Sequence, residues 1–264
     1  MTGMDEFDTQ VTTRLNQLHD MAAAGGLAPA IDIMASCLSN DGVVQSFGTG
    51  HSQAFAMEIA GRAGGLIPTH AINLVDLVLF GVRPVSELGG PQFERDETVA
   101  DQLYGLYDIR RQDAFIIASN SGANGSIVGL ALKAKQAGHP VIAVTSLQHS
   151  QGVVSKHSSG KRLFEIADVV LDNLAPYGDA TIDVDDGIAN ADHGTPDAGI
   201  RMGAVSSITA AYLAQLLTVG TAVKLRAAGI EPPIYLSANI PGGDEHNQAL
   251  EKLYGARIKP HAYR

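Results

Sequence analysis

Hydrophobic residues along this chain fall into short apolar runs that alternate with longer stretches of helical period. Wholly apolar runs ending in glycine, serine or asparagine are typical of buried strands. Four runs have this form: "GVVQSF" (42–47), "AFIIAS" (114–119), "PVIAVTS" (140–146) and "ADVVLDN" (167–173). Helical patterns cover residues 9–38, with a break near "AAGGLAPA", and residues 52–63, 99–107, 125–137 and 206–228. Apolar strands alternating with helices predict a parallel sheet covered on both faces.

Three stretches fit this alternation less clearly. "AINLVDLVLF" (71–80) is apolar but of ambiguous type, "ELGGPQFERDET" (87–98) has the polar, turn-rich composition of a loop, and "PIYLSAN" (233–239) is strand-like. The chain has neither an internal repeat nor a low-complexity linker. We therefore expect one domain over residues 1–264, with an N-terminal helical extension over about residues 1–40.

Composition narrows the function classes. Apolar residues make up 45% of the 264 residues, charged residues 17%, and the net charge is −10 without any basic block. Nucleic acid is therefore not an expected partner, because phosphate neutralisation needs clustered Lys and Arg. The N-terminus "MTGMDEFDTQ" is acidic rather than signal-like. No wholly apolar run reaches the ~20 residues of a membrane span. We expect a cytoplasmic protein that does not bind membranes. We also expect the lone Cys37 to be buried and to pack in the core.

The first candidate site is the junction "SFGTGHS", where an apolar strand gives way to a helix. Gly48 and Gly50 allow the backbone to turn sharply and approach a ligand. Ser52 then lies near a helix N-terminus, where unpaired amides and the helix dipole favour an anion.

The second candidate site, "ASNSGANGS", repeats this arrangement around Gly122. Its polar residues are Ser119, Asn120, Ser121 and Asn124. Loops at the carboxyl ends of parallel strands converge on one crevice, so we expect both junctions to face one ligand. The alternative is that the two junctions bind no ligand and are only polar turns capped by Ser and Asn.

Neither junction contains a lysine, which favours a monophosphate held by neutral donors. The Walker pattern G-x-x-x-x-G-K-[ST] is missing, so a nucleoside triphosphate is not favoured. The dinucleotide fingerprint G-x-G-x-x-G also fails, because Gln53 occupies the position of its third glycine.

The segments "FGTGHSQAFAMEIAGRAGG" and "IIASNSGANGSIVGLALKAKQAGHPVIAVTS" resemble the two signature loops of the sugar isomerase (SIS) domain family, over roughly residues 40–240. "ADVVLDNLAPYGDA" and "PIYLSANIPGGDEHN" further resemble a bacterial subgroup of single-domain SIS proteins. The resemblance implies an α/β fold with a doubly wound five-stranded parallel sheet, a phosphosugar ligand, and a homodimer or higher homo-oligomer with sites near subunit interfaces.

Carried over position by position, the resemblance implies that Ser52, Ser119, Ser121 and Asn124 bind the phosphate. Many family members have Ser or Thr where this chain has Asn124. Gly50, His51 and Asn120 complete the expected substrate-binding set; His51 either contacts sugar hydroxyls or only packs.

Two further residues are candidates for proton transfer. Spacing alone favours an exposed ion pair between Glu58 and Arg62 at i,i+4, whereas the resemblance implies that Glu58 is a base. In "PGGDEHN" (241–247), Asp244 suits a helix cap. His246 gains little as a cap, and a neutral imidazole suits acid–base chemistry near neutral pH. Some enzymes of the family have a catalytic histidine near the C-terminus, sometimes reaching a neighbouring subunit's site, and the resemblance implies this role for His246.

The remaining polar features indicate structural roles. His70, His139, His149, His157 and His193 lack ligand spacing. The acidic segment "DVDDGIANADHG" fails the EF-hand pattern at Gly187, and we expect a solvated loop there. Ser206 and Ser207 are either routine helix caps or a third anion contact. We therefore expect neither a metal site nor a cofactor.

A phosphosugar beside a carboxylate and a histidine indicates proton abstraction α to a carbonyl, after ring opening. A hydroxyl at C2 leads to aldose–ketose isomerisation, whereas an acetamido group at C2 favours loss of the C3 substituent. "SANIPGGDEHN" resembles the N-acetylglucosamine 6-phosphate dehydratase type, so we expect dehydration of that sugar phosphate. Glu58 would take the C2 proton and His246 would protonate the departing C3 oxygen, or the two residues would exchange these roles. An isomerase and a non-catalytic phosphosugar sensor are the alternatives.

Overall fold

Five parallel strands form the centre of the fold. The computed structural model describes residues 3–183 and 200–258. The strands, in chain order, are β1 Val44–Gly48, β2 Thr69–Ile72, β3 Ala114–Ala118, β4 Val141–Thr145, β5 Val169–Asp172, and a separate antiparallel pair β6 Ala180–Asp183 and β7 Arg201–Ala204. The central sheet has the order β2-β1-β3-β4-β5, which confirms the predicted doubly wound parallel sheet.

The helices cover both faces of this sheet. They are α1 Gly3–Ala23, α2 Ala28–Ser39, α3 Gln53–Ile59, α4 Leu74–Leu79, α5 Gln92–Arg95, α6 Val99–Leu106, α7 Gly125–Gln136, α8 Leu147–Gln151, α9 Ser206–Ala227 and α10 Gly243–Tyr254. Short 3-10 turns occupy Gly50–Ser52, Val85–Gly89, Leu163–Glu165 and Gly255–Ile258.

Side chains that alternate along each strand feed two separate cores. Ile116 and Ala118 of β3 face the core formed with α1, α2, α3 and α9. Phe115 and Ile117 face the opposite core, formed with α4, α6 and α7. Because successive residues of a strand point to opposite faces, a wholly apolar run fills both cores at once.

Three predictions about individual elements need correction, and the structure resolves one stretch that was ambiguous. Residues 233–239 do not form a strand: they make only an isolated bridge between Ile234 and Leu66, since consecutive prolines precede it and remove backbone donors. The helix predicted over 52–63 ends at Ile59, and Gly61 follows with a φ of +74°. The ambiguous stretch 71–80 divides into the end of β2 and α4, and the loop predicted over 87–98 contains α5. The pair β6–β7 was not predicted.

α9 is long and largely apolar. It has 22 residues and contains an 18-residue stretch with a mean hydropathy of 1.3, which satisfies the length and composition of a membrane span. This is weak support for a span, because a buried core helix has the same composition. Leu213, Ala214 and Leu217 of α9 lie fully buried in the core beside α2 and α3.

Candidate functional site

The sheet has a crevice between the carboxyl ends of β1 and β3. After β1 the chain continues into α3 on one face, whereas after β3 it continues into α7 on the opposite face. The two loops therefore leave adjacent strands in opposite directions. In open α/β sheets of this strand order, ligands bind at this reversal point.

The loop after β1 is shaped by its glycines. A Cβ on Gly48 would lie 2.3 Å from the carbonyl oxygen of Ser52, so a larger residue would push the turn open. Gly50 has a φ of +55°, which L side chains rarely adopt. These two positions bring the 3-10 turn Gly50–Ser52 back over the end of the strand.

The loop after β3 is held by its own serines. The Ser119 hydroxyl accepts a hydrogen bond from the N–H of Gly122 (3.1 Å), and the Ser121 hydroxyl accepts one from the N–H of Ala123 (3.4 Å). Each hydroxyl keeps its own hydrogen for a ligand. Gly122 has a φ of +60°, so the turn depends on this glycine as well.

The start of α7 follows the second loop directly, although none of its residues lines the groove described below. Asn124 precedes the helix in an extended conformation, and its side chain makes no capping hydrogen bond. Among the residues that the structure describes, the N–H groups of Gly125 and Ser126 have no acceptor. A helix of 12 residues carries a partial positive charge at this end.

Four of the predicted residues line one groove between the two loops. The groove is lined by His51, Ser52, Phe55, Ala118, Ser119, Asn120, Val144, Asn173, Ser206, Ser207 and Ala210. Neither lysine nor arginine occurs in this lining, so its donors are hydroxyls, amides and the His51 ring. The cavity volume is about 10 Å³, the room of about one water molecule.

Sequence reasoning missed Asn173, which follows β5. Its side-chain amide donates to Oδ1 of Asn120 (3.2 Å), and it is itself almost fully buried. Asn173 therefore fixes the orientation of the Asn120 side chain in the groove. Its position at the carboxyl end of a predicted strand was the signal that would have identified it.

The start of α9 is already occupied by a carboxylate. Asp179 accepts hydrogen bonds from the N–H of Ser206 (2.8 Å), the N–H of Val205 (3.2 Å) and the hydroxyl of Ser206 (2.6 Å). Ser206 thus contacts Asp179 and is not the helix cap considered from the sequence, since Val205 occupies the N-cap position without a side-chain capping bond. Ser207 is exposed at the groove.

Glu58 lies near the end of α3 and not in the groove lining. Its carboxylate pairs with Arg62 and accepts a hydrogen bond from Nε2 of Gln215 on α9 (2.6 Å). The side chain is 23% exposed. The ion pair expected from spacing alone is therefore present, and Glu58 faces the surface between α3 and α9.

His246 lies at the opposite end of the sheet from the groove. Its Nε2 is 3.0 Å from the carbonyl oxygen of Ile234, and Ile234 bridges to Leu66, which precedes β2. Parallel strands share one direction, so a residue beside the start of β2 is separated from the loops by the length of the sheet. One chain alone does not bring His246 to Ser119.

The other histidines and the cysteine have the surroundings of structural residues. His70 bonds to Gln45 (2.9 Å) and His139 bonds to Tyr104 (2.8 Å), both in buried positions. Burial, followed by the nearby charge of Asp113, raises the pKa of Cys37 to about 12. Within residues 3–183 and 200–258, no group of three or more His, Cys, Asp or Glu is placed to hold a metal. His193 and all of the acidic segment after its first residue lie outside the described residues.

Comparison with known proteins shows which sequences and folds this chain is similar to. The SIS domain model matches residues 6–146. A UPF0309 protein of Listeria monocytogenes is 37% identical over 97% of this chain and 98% of its own length. A UPF0309 protein of Caldanaerobacter subterraneus is 35% identical over 86% of this chain and 87% of its own. A solved phosphoheptose isomerase from Francisella tularensis covers 83% of this chain and 100% of its own, with 21% identity and a TM-score of 0.47.

Proposed function

This chain belongs to the SIS domain family, within the group of UPF0309 proteins, and on that premise we propose that it binds a sugar 6-phosphate in the crevice between β1 and β3. The observation that carries the proposal is that Ser52 lines one groove with Ser119 and Asn120. The loop that holds Ser119 and Asn120 leads directly into the start of α7.

Neutral donors suit a phosphate monoester in an acidic protein. Hydroxyls and helix N–H groups can satisfy several phosphate oxygens without a cation. The net charge of −10 means that attraction must come from this local arrangement rather than from the overall field. Because the groove has room for about one water, phosphate binding requires exposed side chains such as His51 and Ser207 to move.

The reaction we propose begins with removal of the C2 proton by Glu58. This residue lies on the helix that starts at the first loop, and its carboxylate is held in place by Arg62 and Gln215. In a ring-opened N-acetylglucosamine 6-phosphate, the electron pair left at C2 forms a C2=C3 double bond while the C3–O bond breaks. His246 gives a proton to the departing oxygen, and water leaves. Return of the proton to C1 instead would make the same residues an isomerase.

A second copy of the chain is required by this assignment. His246 is remote from the groove of its own chain, so we propose that it acts at the site of a neighbouring subunit. Exposed apolar side chains support such an assembly: Met57 on α3 and Val219 and Val223 on α9 are 57%, 59% and 64% exposed. Large apolar residues on a helix surface are typical of interfaces.

A non-catalytic sensor is the second candidate, and one observation favours it. The described part of a single chain holds no free acid–base pair in the groove: Glu58 is engaged by two partners, and His246 lies across the sheet. A domain that only binds the phosphosugar would need neither residue at the ligand.

Proton NMR in deuterated buffer tests these alternatives. The purified protein is added separately to N-acetylglucosamine, glucosamine, glucose and fructose 6-phosphates. New vinylic signals from the acetylated sugar support the dehydratase, whereas deuterium at C1 or C2 with ketose formation supports the isomerase. Broadened but unchanged sugar resonances support the sensor.

The variant Glu58→Gln tests the proposed base. Loss of a general base lowers turnover by about 10²–10⁴-fold, while phosphosugar binding measured by calorimetry should persist. The matched control is Glu231→Gln, which removes another paired carboxylate at an 80% exposed surface position. An active Glu58→Gln protein would show that another group takes the proton.

A further inference from the structure

A second cavity adjoins the first loop on the side away from the groove. It has a volume of about 300 Å³, the lower limit of the ~300–1,000 Å³ typical of small-molecule sites. The backbone of Gly48, Thr49 and Gly50 forms one wall. Gln53 and apolar side chains form the rest, namely Leu74, Val75, Leu88, Pro91 and Phe93, together with Glu94.

Gly50 adds no side chain to the wall of this cavity. A Cβ on Gly50 would contact only the Glu94 carboxylate, with Oε2 at 3.7 Å. The groove has a volume of about 10 Å³ and this cavity about 300 Å³, so the cavity is the larger space next to a phosphate that contacts Ser52 and Ser119.

The Glu94 carboxylate is available to a ligand. Within residues 3–183 and 200–258 it forms neither a hydrogen bond nor an ion pair with a side chain or backbone group. Its position is nevertheless fixed. The carbonyl oxygen of Glu94 accepts a hydrogen bond from the Ser126 hydroxyl (2.6 Å), and the neighbouring Phe93 is buried in the core.

Polar groups on the cavity's inner wall are also oriented. Nε2 of Gln53 donates to Oδ1 of Asn73 (2.7 Å), and Asn73 is almost fully buried. Two larger cavities do not touch either loop. One lies near Arg111 and Pro140, before the starts of β3 and β4, and the other lies near Ser86 and Asp96, beside α5.

We propose that the cavity beside Gly50 is the subsite for the sugar chain and that Glu94 accepts hydrogen bonds from its hydroxyl or amide groups there. This inference rests only on the phosphate-binding part of the proposed function, because the phosphate must lie between the two loops. Glu58, which bonds to Gln215 on α9, is not in the wall of this cavity, so the subsite does not depend on Glu58 as the base. A carboxylate accepts bonds from two neighbouring sugar donors at once, and the apolar wall of Leu74, Leu88 and Phe93 can cover a sugar face.

Calorimetry on the full chain tests the subsite with two kinds of probe, the four sugar 6-phosphates named above and inorganic phosphate. The variants are Glu94→Ala, the isosteric Glu94→Gln, and the control Glu87→Gln, in the same segment but outside the cavity wall. We expect Glu94→Ala to weaken the tightest sugar phosphate by at least about tenfold, as for a lost hydrogen bond to a charged group, with Glu94→Gln intermediate. Inorganic phosphate and the Glu87 control should be unchanged.

The subsite would be overturned if Glu94→Ala weakened the binding of sugar phosphates and of inorganic phosphate equally, or if it weakened neither. It would also be overturned by a wild-type protein that binds sugar phosphates no more tightly than inorganic phosphate. If the wild type binds neither probe, the phosphate site itself is wrong and the subsite falls with it. If Glu94→Ala weakens only the binding of sugar phosphates but no sugar exchanges its C2 proton, the subsite is supported and only the proposed chemistry is wrong.

Discussion

The two ends of the central sheet use polar residues in opposite ways. At the amino end, charge is buried and paired: Asp113 is fully buried, contacts Arg257, and accepts hydrogen bonds from the N–H of Val43 (2.9 Å) and from Gln45 (3.0 Å). At the carboxyl end, the groove is lined by the neutral donors Ser52 and Ser119.

This difference separates polar residues that hold the fold from those that can hold a ligand. Asp113 and Arg257 form an ion pair with one another, so their charges are used within the chain. The hydroxyl hydrogens at the crevice and the N–H groups at the start of α7 have capacity left over, which is what an anion would use. The predictions below test this contrast.

The largest expected effect is at the amino end. Arg257→Ala leaves Asp113 as an unpaired buried charge, and we expect the free energy of unfolding to fall by about 3–5 kcal/mol. Urea unfolding followed by circular dichroism measures this. Arg226→Ala, which breaks an ion pair whose partners are 72% and 80% exposed, should change it by about 0–1 kcal/mol. Similar losses for both variants would remove the contrast between the two ends.

A mixing experiment asks whether residues from the two ends meet in another copy. Glu58→Gln and His246→Gln should each be inactive alone. If each site combines Glu58 of one subunit with His246 of another, refolding an equal mixture of the two variants restores roughly a quarter of the wild-type rate, because half of the dimers are mixed and each has one intact site. Sites built within single chains would regain nothing.

At the carboxyl end of the sheet, loss of a single hydroxyl should change the affinity for phosphate more than the stability of the fold. We expect Ser119→Ala to weaken binding of inorganic phosphate by about tenfold, as for a lost hydrogen bond to a charged group, and to lower stability by about 1 kcal/mol through its lost bond to Gly122. Calorimetry measures the first effect and urea unfolding the second. Ser36→Ala, at an exposed position on α2, should change neither; unaltered phosphate affinity in Ser119→Ala would contradict the site.

The smallest effect concerns His149, beside the loop that caps α9. Burial lowers the pKa of His149 below its ordinary value of 6.5. The unfolded chain has the ordinary pKa and the folded chain a lower one. At a pH between the two, the unfolded chain therefore binds a proton that the folded chain lacks, and the free energy of unfolding falls as the pH drops below about 6.5. His149→Gln keeps an acceptor for the N–H of Gly178 and should reduce this fall between about pH 7 and pH 5 in urea unfolding. An unchanged slope would place the titration elsewhere.

The fold was largely predictable because its signals are local and repeated. The apolar strands β1, β3, β4 and β5 lie within about two residues of their predicted positions, since strands buried on both faces have little freedom in composition. The stretch 233–239 was wrong because its pattern is strand-like but its hydrogen bonds go to the loop at Gly64 to Ile67. Such a choice depends on a neighbour distant in sequence.

The candidate site was predictable in part. The glycine-rich loops after β1 and β3 identified Ser52 and Ser119 because a parallel sheet brings all carboxyl ends to one edge. Asn173 and Glu94 were missed: neither belongs to a recognisable motif, and each reaches its loop only through packing. Glu58 and His246 remain predictions as catalytic residues.

The sequence by itself determined the sheet, the order of its elements and the two loops, because period, glycine position and strand composition are properties of short segments. Only the tertiary structure decided which polar groups are engaged in hydrogen bonds or ion pairs within the chain. It paired Glu58 with Arg62 and Gln215, occupied the start of α9 with Asp179, and left Glu94 facing a cavity. The physical reason is that a hydrogen bond depends on two partners in space, and a sequence pattern describes only one of them at a time.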